Sequence, residues 1–223
     1  MCTEQRDFGA SLLPHIIYYC NRSHMNYTFL PKAGGYRQLL AYRLSEAICD
    51  LTAVFAARFI RAGSRTADQM EQAARSGKQN IAEGSEASRT SKETEIKLTN
   101  VAKASLEELL LDYEDYLRQH NLEMWDKAHP RTMRIRAYLK SETFMDRPTQ
   151  YATVMDAEEY CNLSITLINQ CTYLLRRLIA QQEEQFLKNG GIKEQMFRAR
   201  ISYRNSQNRE SWPDPSDRSD RSK

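Results

Sequence analysis

Apolar residues at three-and-four spacing, repeated in four long stretches, constrain this chain more than any other feature. In the first stretch Leu40, Leu44, Ala47, Ile48, Leu51, Val54, Phe55 and Phe59 fall on one helix face, with Arg43, Glu46, Asp50 and Arg58 elsewhere on the turn. Gly63 is the expected end of that helix, with Arg61 suited to its negative C-terminus. The second stretch, about 66–84, has the seam Ala67, Met70, Ala74, Gly77, Ile81 and Gly84. Such small side chains let two backbones approach closely. Gly77 in mid-helix costs about 1 kcal/mol relative to alanine, and close packing is the natural compensation. The third starts at Thr90 or Ser91, Thr90 and Glu93 having the spacing of a capping box. Its near-heptad seam is Leu98, Ala102, Ser105, Leu106, Leu109, Tyr113 and Tyr116, and it runs to about His120. The fourth opens on Asp156 with Glu159 and carries Cys161, Ile165, Ile168, Leu175, Leu178, Ile179 and Phe186; Lys188, Asn189, Gly190 and Gly191 stop it.

No strand pattern competes. The expected fold is all-α, an antiparallel up-down four-helix bundle over residues 31–189. Its third connection is long, with Pro130 and Pro148 bracketing a basic, helix-compatible piece at 131–140. Residues 190–204 read as a short, basic, amphipathic fifth helix, with Ile192, Met196, Ala199 and Tyr203 on one side. Residues 205–223, rich in Ser, Asp and Arg, read as a disordered tail, and residues 1–30 as an extension outside the bundle, with Met25 an alternative start.

Enzymatic chemistry finds no support in the motifs. A di-metal bundle needs paired Glu-x-x-His elements, and none of His15, His24, His120 and His129 follows a glutamate by three positions. The cysteines Cys2, Cys20, Cys49, Cys161 and Cys171 match no zinc spacing and include no CxxC pair; they read as reduced thiols of a cytoplasmic protein. The Gly77-Lys78 pair lacks both the upstream glycine and the following Ser or Thr of a phosphate loop. The longest uncharged run, 161–175, is too short and too polar to span a bilayer, and the apolar run 8–20 lacks a basic flank and a small-residue cleavage site. The expectation is a protein with no catalytic site, no metal and no cofactor.

What remains is positive charge. The chain's net charge is only +3, but the charges are unevenly placed. Arg75 and Lys78 lie one turn apart, Arg89 and Lys92 flank the turn into the third helix, Lys97 and Lys103 continue along it, and Lys193, Arg200 and Arg204 lie on the fifth. Such groups neutralise phosphates without reading sequence. An acidic run, Glu107, Glu108, Asp112, Glu114 and Asp115, reads as a solvated face. The alternative reading is a protein-interaction scaffold that uses the fifth helix.

Ala73-Ala-Arg-Ser-Gly-Lys-Gln-Asn-Ile-Ala-Glu-Gly84, then Ser91-Lys-Glu93 and Ala102-Lys-Ala-Ser-Leu-Glu-Glu-Leu109, resemble the bacterial four helix bundle proteins, a family that includes proteins encoded in ribosomal RNA intervening sequences and the accessory variability protein of diversity-generating retroelements. The continuation through Gly190-Gly191 is similar to the subgroup with a suffix extension, and the resemblance spans about residues 30–203. It implies an antiparallel four-helix bundle that assembles into a homopentameric barrel, in a family for which no enzymatic activity is established. In the retroelement member it implies a basic surface that binds RNA or DNA and a reverse transcriptase. Asn80, Glu83 and Gly84 match the motif; the expected roles are hydrogen bonding across helices for Asn80 and Glu83 and ending the helix for Gly84.

Overall fold

The computed structural model describes residues 35–139, 148–150 and 154–210, of which 208–210 are described in backbone only. The expected N-terminal extension, the alternative start, Cys2, Cys20, His15, His24 and residues 211–223 of the expected tail lie outside them. The described residues are helical, with no strand among them: a single 3-10 turn at Tyr36–Gln38, then α1 (Leu40–Phe59), α2 (Arg65–Ala87), α3 (Lys92–Gln119), α4 (Pro130–Tyr138), α5 (Ala157–Asn189) and α6 (Ile192–Glu210).

The helix boundaries follow local chemistry. Ser64 caps α2, its hydroxyl accepting the Thr66 N–H at 3.2 Å. Ser91 rather than Thr90 caps α3, accepting the Thr94 N–H at 3.1 Å, while the Thr90 hydroxyl bonds back to the Ala87 carbonyl. Asp156 caps α5 by accepting the Glu159 N–H at 2.8 Å, but the Glu159 carboxylate turns to Arg131 at 2.9 Å instead of completing a capping box. α1 stops at Phe59, before Gly63, whose φ of 75° places it in the following turn. Gly190, at φ 70°, ends α5 as its sequence implies.

α1 packs on α2, α2 on α3, α3 on α5 and α5 on α1, and α4 lies against α5. A Cβ on Gly77 would stand 2.8 Å from the Leu106 side chain, and one on Gly84 3.3 Å from the Glu95 carbonyl oxygen and the Leu98 Cβ. The stripe of small residues is therefore the close seam between α2 and α3. Gly84 does not end the helix: α2 continues through it to Ala87, because a glycine that admits a neighbouring backbone keeps its place in the hydrogen-bond ladder.

The interior is filled by Leu44, Leu51, Phe55, Met70, Leu106, Leu109 and Leu167, all fully buried. Phe55 lies at the centre of an aromatic group, its ring 4.9 Å from those of Tyr113 and Tyr116 and 5.5 Å from that of Tyr160. The two buried phenols have partners: Tyr113 donates to Thr52 Oγ1 at 3.1 Å and Tyr160 to the Leu51 carbonyl at 2.8 Å. Burial pushes both phenols above their usual range, and the Cys161 and Cys171 thiols up to about 12. The connection before α4 is held by Asn162, which accepts the Trp125 N–H at 2.8 Å and donates to the Glu123 carbonyl at 2.8 Å.

α6 departs from expectation in length. It continues past Tyr203 to Glu210, so 205–210 belong to the helix and not to a disordered tail. Ser, Asn and Gln there lack the apolar periodicity that marks a packed helix, yet none of them breaks one. Among the described residues no helix is long and apolar enough to cross a membrane.

Candidate nucleic-acid interface

The basic residues singled out from sequence do not form one surface. Arg75 is exposed on α2 over a groove of about 720 Å³ between α1 and α2, and that groove is also lined by Asp68, Glu71 and Glu83. Its only base among those lining residues thus sits among three carboxylates. Lys78 and Arg89 are half-buried. Lys92 is paired with Glu95 at 2.8 Å, and Gln182 of α5 donates to the same carboxylate at 3.1 Å. Lys103 bonds Glu107 at 2.9 Å, and Arg176 bonds it from α5 at 3.1 Å. The bonded Lys103 ammonium, helped by Arg176, holds the Glu107 carboxyl below the usual carboxylate range. These ion pairs leave α2 and α3 with a mixed surface. Only Lys97 is both exposed and without an acidic partner among the described residues of α3.

The motif residues also differ from expectation. Asn80 donates within its own helix, to the Ser76 carbonyl at 2.9 Å and to Ser76 Oγ at 3.1 Å. The crossing to α3 is made by Ser76, whose hydroxyl lies 3.0 Å from that of Ser105. Glu83 is exposed at the edge of the acidic groove and makes no cross-helix hydrogen bond among the described residues.

α6 is different. No other element packs along it, and beyond Ile192 and Gln195 its described side chains are exposed. Its sequence holds Lys193, Arg198, Arg200, Arg204 and Arg209 against Glu194 and Glu210. That excess equals the net charge of the whole chain, so the remainder is formally neutral. Lys193, Arg200 and Arg204 are seven and four residues apart, which keeps them within about 40° of one another around a helix of 3.6 residues per turn. Met196 and Tyr203 border that stripe on one side. Phe197 and Ile201, which the helical periodicity read from sequence passed over, border it on the other; Phe197 is 67% exposed. The stripe can hold a row of anionic oxygens, and its flanking rings offer faces to stack on.

The half-buried Cys49 thiol at the α1–α2 groove is raised by desolvation, the direction opposite to that of an activated nucleophile. Among the described residues no three His, Cys, Asp or Glu side chains meet to hold a metal ion. No family model, curated protein or solved structure matches the chain.

Proposed function

We propose that the chain is a non-enzymatic, oligomeric accessory protein that binds RNA or DNA through its C-terminal helix, without sequence specificity. The observation that carries this reading is the exposed, unpacked α6, which holds an excess of positive charge equal to the chain's net charge and lines up Lys193, Arg200 and Arg204 in one stripe edged by aromatic and aliphatic side chains. Phosphate neutralisation supplies affinity, and stacking supplies a sequence-tolerant addition. Relative to the surface expected from sequence, Lys92 and Lys103 leave the binding set because carboxylates already pair with them, and Arg75 because three carboxylates line its groove and repel a phosphate.

The body that presents α6 is, in this reading, an antiparallel up-down four-helix bundle. Its support is the order of contacts: Gly77 meets Leu106 while Gly84 meets Glu95, Arg176 meets Glu107 while Gln182 meets Thr99, and Leu51 meets Tyr160 while Ala41 meets Cys171. Each pair climbs one helix as it descends the other. The resemblance to bacterial four helix bundle proteins adds two proposals, a pentameric ring and a reverse transcriptase as protein partner, in a reducing cytoplasm that suits the buried thiols Cys161 and Cys171. Several copies of α6 on one assembly gain avidity from modest single contacts.

The test is a salt titration of affinity for mixed RNA and DNA oligonucleotides. Replacing Lys193, Arg200 and Arg204 together by serine is expected to weaken binding and to flatten the slope of log affinity against log salt by about two to three. An unchanged slope removes α6 from the interface. A protein partner for α6 is the second reading, favoured by the exposed Met196, Phe197 and Ile201. Replacing Phe197 and Ile201 by serine would then abolish protein capture and leave the salt slope intact.

A further inference from the structure

α3 packs against α2 on one side and α5 on the other, and a third face of it points away from both. On that outer face Lys97, Val101, Ala104, Glu108, Leu111 and Asp115 are all exposed. Their spacing alternates four and three, which is that of a coiled-coil seam. It is a second seam on a helix whose first, through Ala102, Leu106, Leu109, Tyr113 and Leu117, is already buried in the core. A lone exposed leucine is ordinary on a protein surface. An apolar pair, Val101 at 40% and Leu111 at 61% exposure, set in heptad register within a seam that runs about 27 Å from Lys97 to Asp115 at ~1.5 Å per residue, is a different matter.

The order of residue types along the seam identifies its occupant. Read forward it runs cation, aliphatic, small, acid, aliphatic, acid. Laid antiparallel on a copy of itself about the level of Leu106, it places Val101 opposite Leu111, the small Ala104 opposite the longer Glu108, and Lys97 opposite Asp115. Every pairing occurs twice, as an isologous two-fold contact requires. Asp115 is prepared for a second cation: Arg118 donates to it through both Nε (3.3 Å) and an Nη (2.8 Å), and both bonds fall on Oδ1. Lys97, for its part, has no acidic partner among the described residues.

We infer that the outer face of α3 is a self-association surface, on which a second copy of this chain docks antiparallel with α3 against α3. This goes beyond the nucleic-acid reading and does not depend on it, since α6 plays no part in it. The contact closes at two copies. Within a five-fold ring it would join two rings into ten.

The experiment is mass determination by sedimentation or light scattering over a concentration series, with circular dichroism to confirm that each variant is folded; every substituted side chain is exposed, so folding is expected to survive. The full chain is expected to show a mass of two copies, or of ten, at high concentration. Leu111→Glu is expected to weaken that step by about a hundredfold, because a two-fold contact loses the leucine twice at about tenfold each. Lys97→Glu and Asp115→Lys are each expected to fail to pair alone and to pair when mixed, because the mixture restores both opposite-charge contacts. A mass of one copy or of five at every concentration overturns the inference, as does a mass of two or ten that Leu111→Glu leaves unchanged, or a failure of the mixed charge variants to recover the pairing.

Discussion

α5 and α6 follow one another across two glycines, and nearly everything about them differs. α5 buries Tyr160, Cys161, Leu163, Ile165, Leu167, Ile168, Cys171 and Leu175 against α1 and α3. α6 buries nothing comparable, and its apolar side chains Met196, Phe197, Ile201 and Tyr203 stay exposed. Both are helical in backbone, so helix formation is not what separates them. Most helical stability in proteins comes from packing an amphipathic face, and α6 has no such face packed in the single chain. α5 is held by the core. α6 is left with its own hydrogen-bond ladder and an excess of positive charge. Its tether is slight: Arg198 reaches the Asn189 carbonyl at 3.3 Å and Gln195 the Gly190 carbonyl at 3.3 Å.

Substitutions sharpen this contrast. The largest effect is expected at Phe55, whose ring holds together the aromatic residues of α1, α3 and α5. Phe55→Ala should lower unfolding stability by about 3–5 kcal/mol in a denaturant titration. A loss below about 1 kcal/mol, the size of a typical single change, would mean that the aromatic group is not central. Next comes Asn162→Ala, which strips partners from the Trp125 N–H and the Glu123 carbonyl. It is expected to cost about 1–3 kcal/mol through those orphaned polar groups. Asp156→Ala removes the α5 cap and should cost about 1 kcal/mol, with Asp156→Asn largely restoring it. The smallest effect is expected on α6: Phe197→Ser with Ile201→Ser should move stability by no more than about 0.5 kcal/mol, because neither side chain is packed in the single chain. A large loss there would show α6 folded against something the present packing lacks, and would erase the contrast with α5.

How much of this was readable from sequence depends on how local the cause is. The seams of α1, α3 and α5 follow from three-and-four spacing, apart from Leu40, which opens α1 and is exposed, and the Asp156 cap follows from its place before an apolar run. The Lys103–Glu107 pair stands at a spacing where opposite charges meet on a helix, so that neutralisation was within reach of sequence reasoning. The acids near Arg75 were within reach too, since Asp68, Glu71 and Glu83 share its helix and Glu71 stands one turn before it; Cys49 and Ala53 of α1, which complete the groove, were not, since packing alone brings them there. The same holds for Arg176 on Glu107 and for Asn162 on the Trp125 connection, which join residues far apart in the chain. Gly84 misled because a glycine can mark either a helix end or a close approach, and only the neighbour at 3.3 Å decides between them. The end of α6 was read short because the expectation followed apolar periodicity, and an unpacked helix has no need to keep it.

The central claim is that α6, and not the mixed surface of α2 and α3, meets nucleic acid. Amide hydrogen exchange of the whole chain, with and without a mixed oligonucleotide at low salt, tests it most directly. The account predicts that residues 192–210 exchange much faster than α5 in the free protein and become protected when the oligonucleotide is added, while α2 and α3 are unchanged. Protection centred on Arg75, Lys92 and Lys103, with α6 left as fast as before, would contradict it.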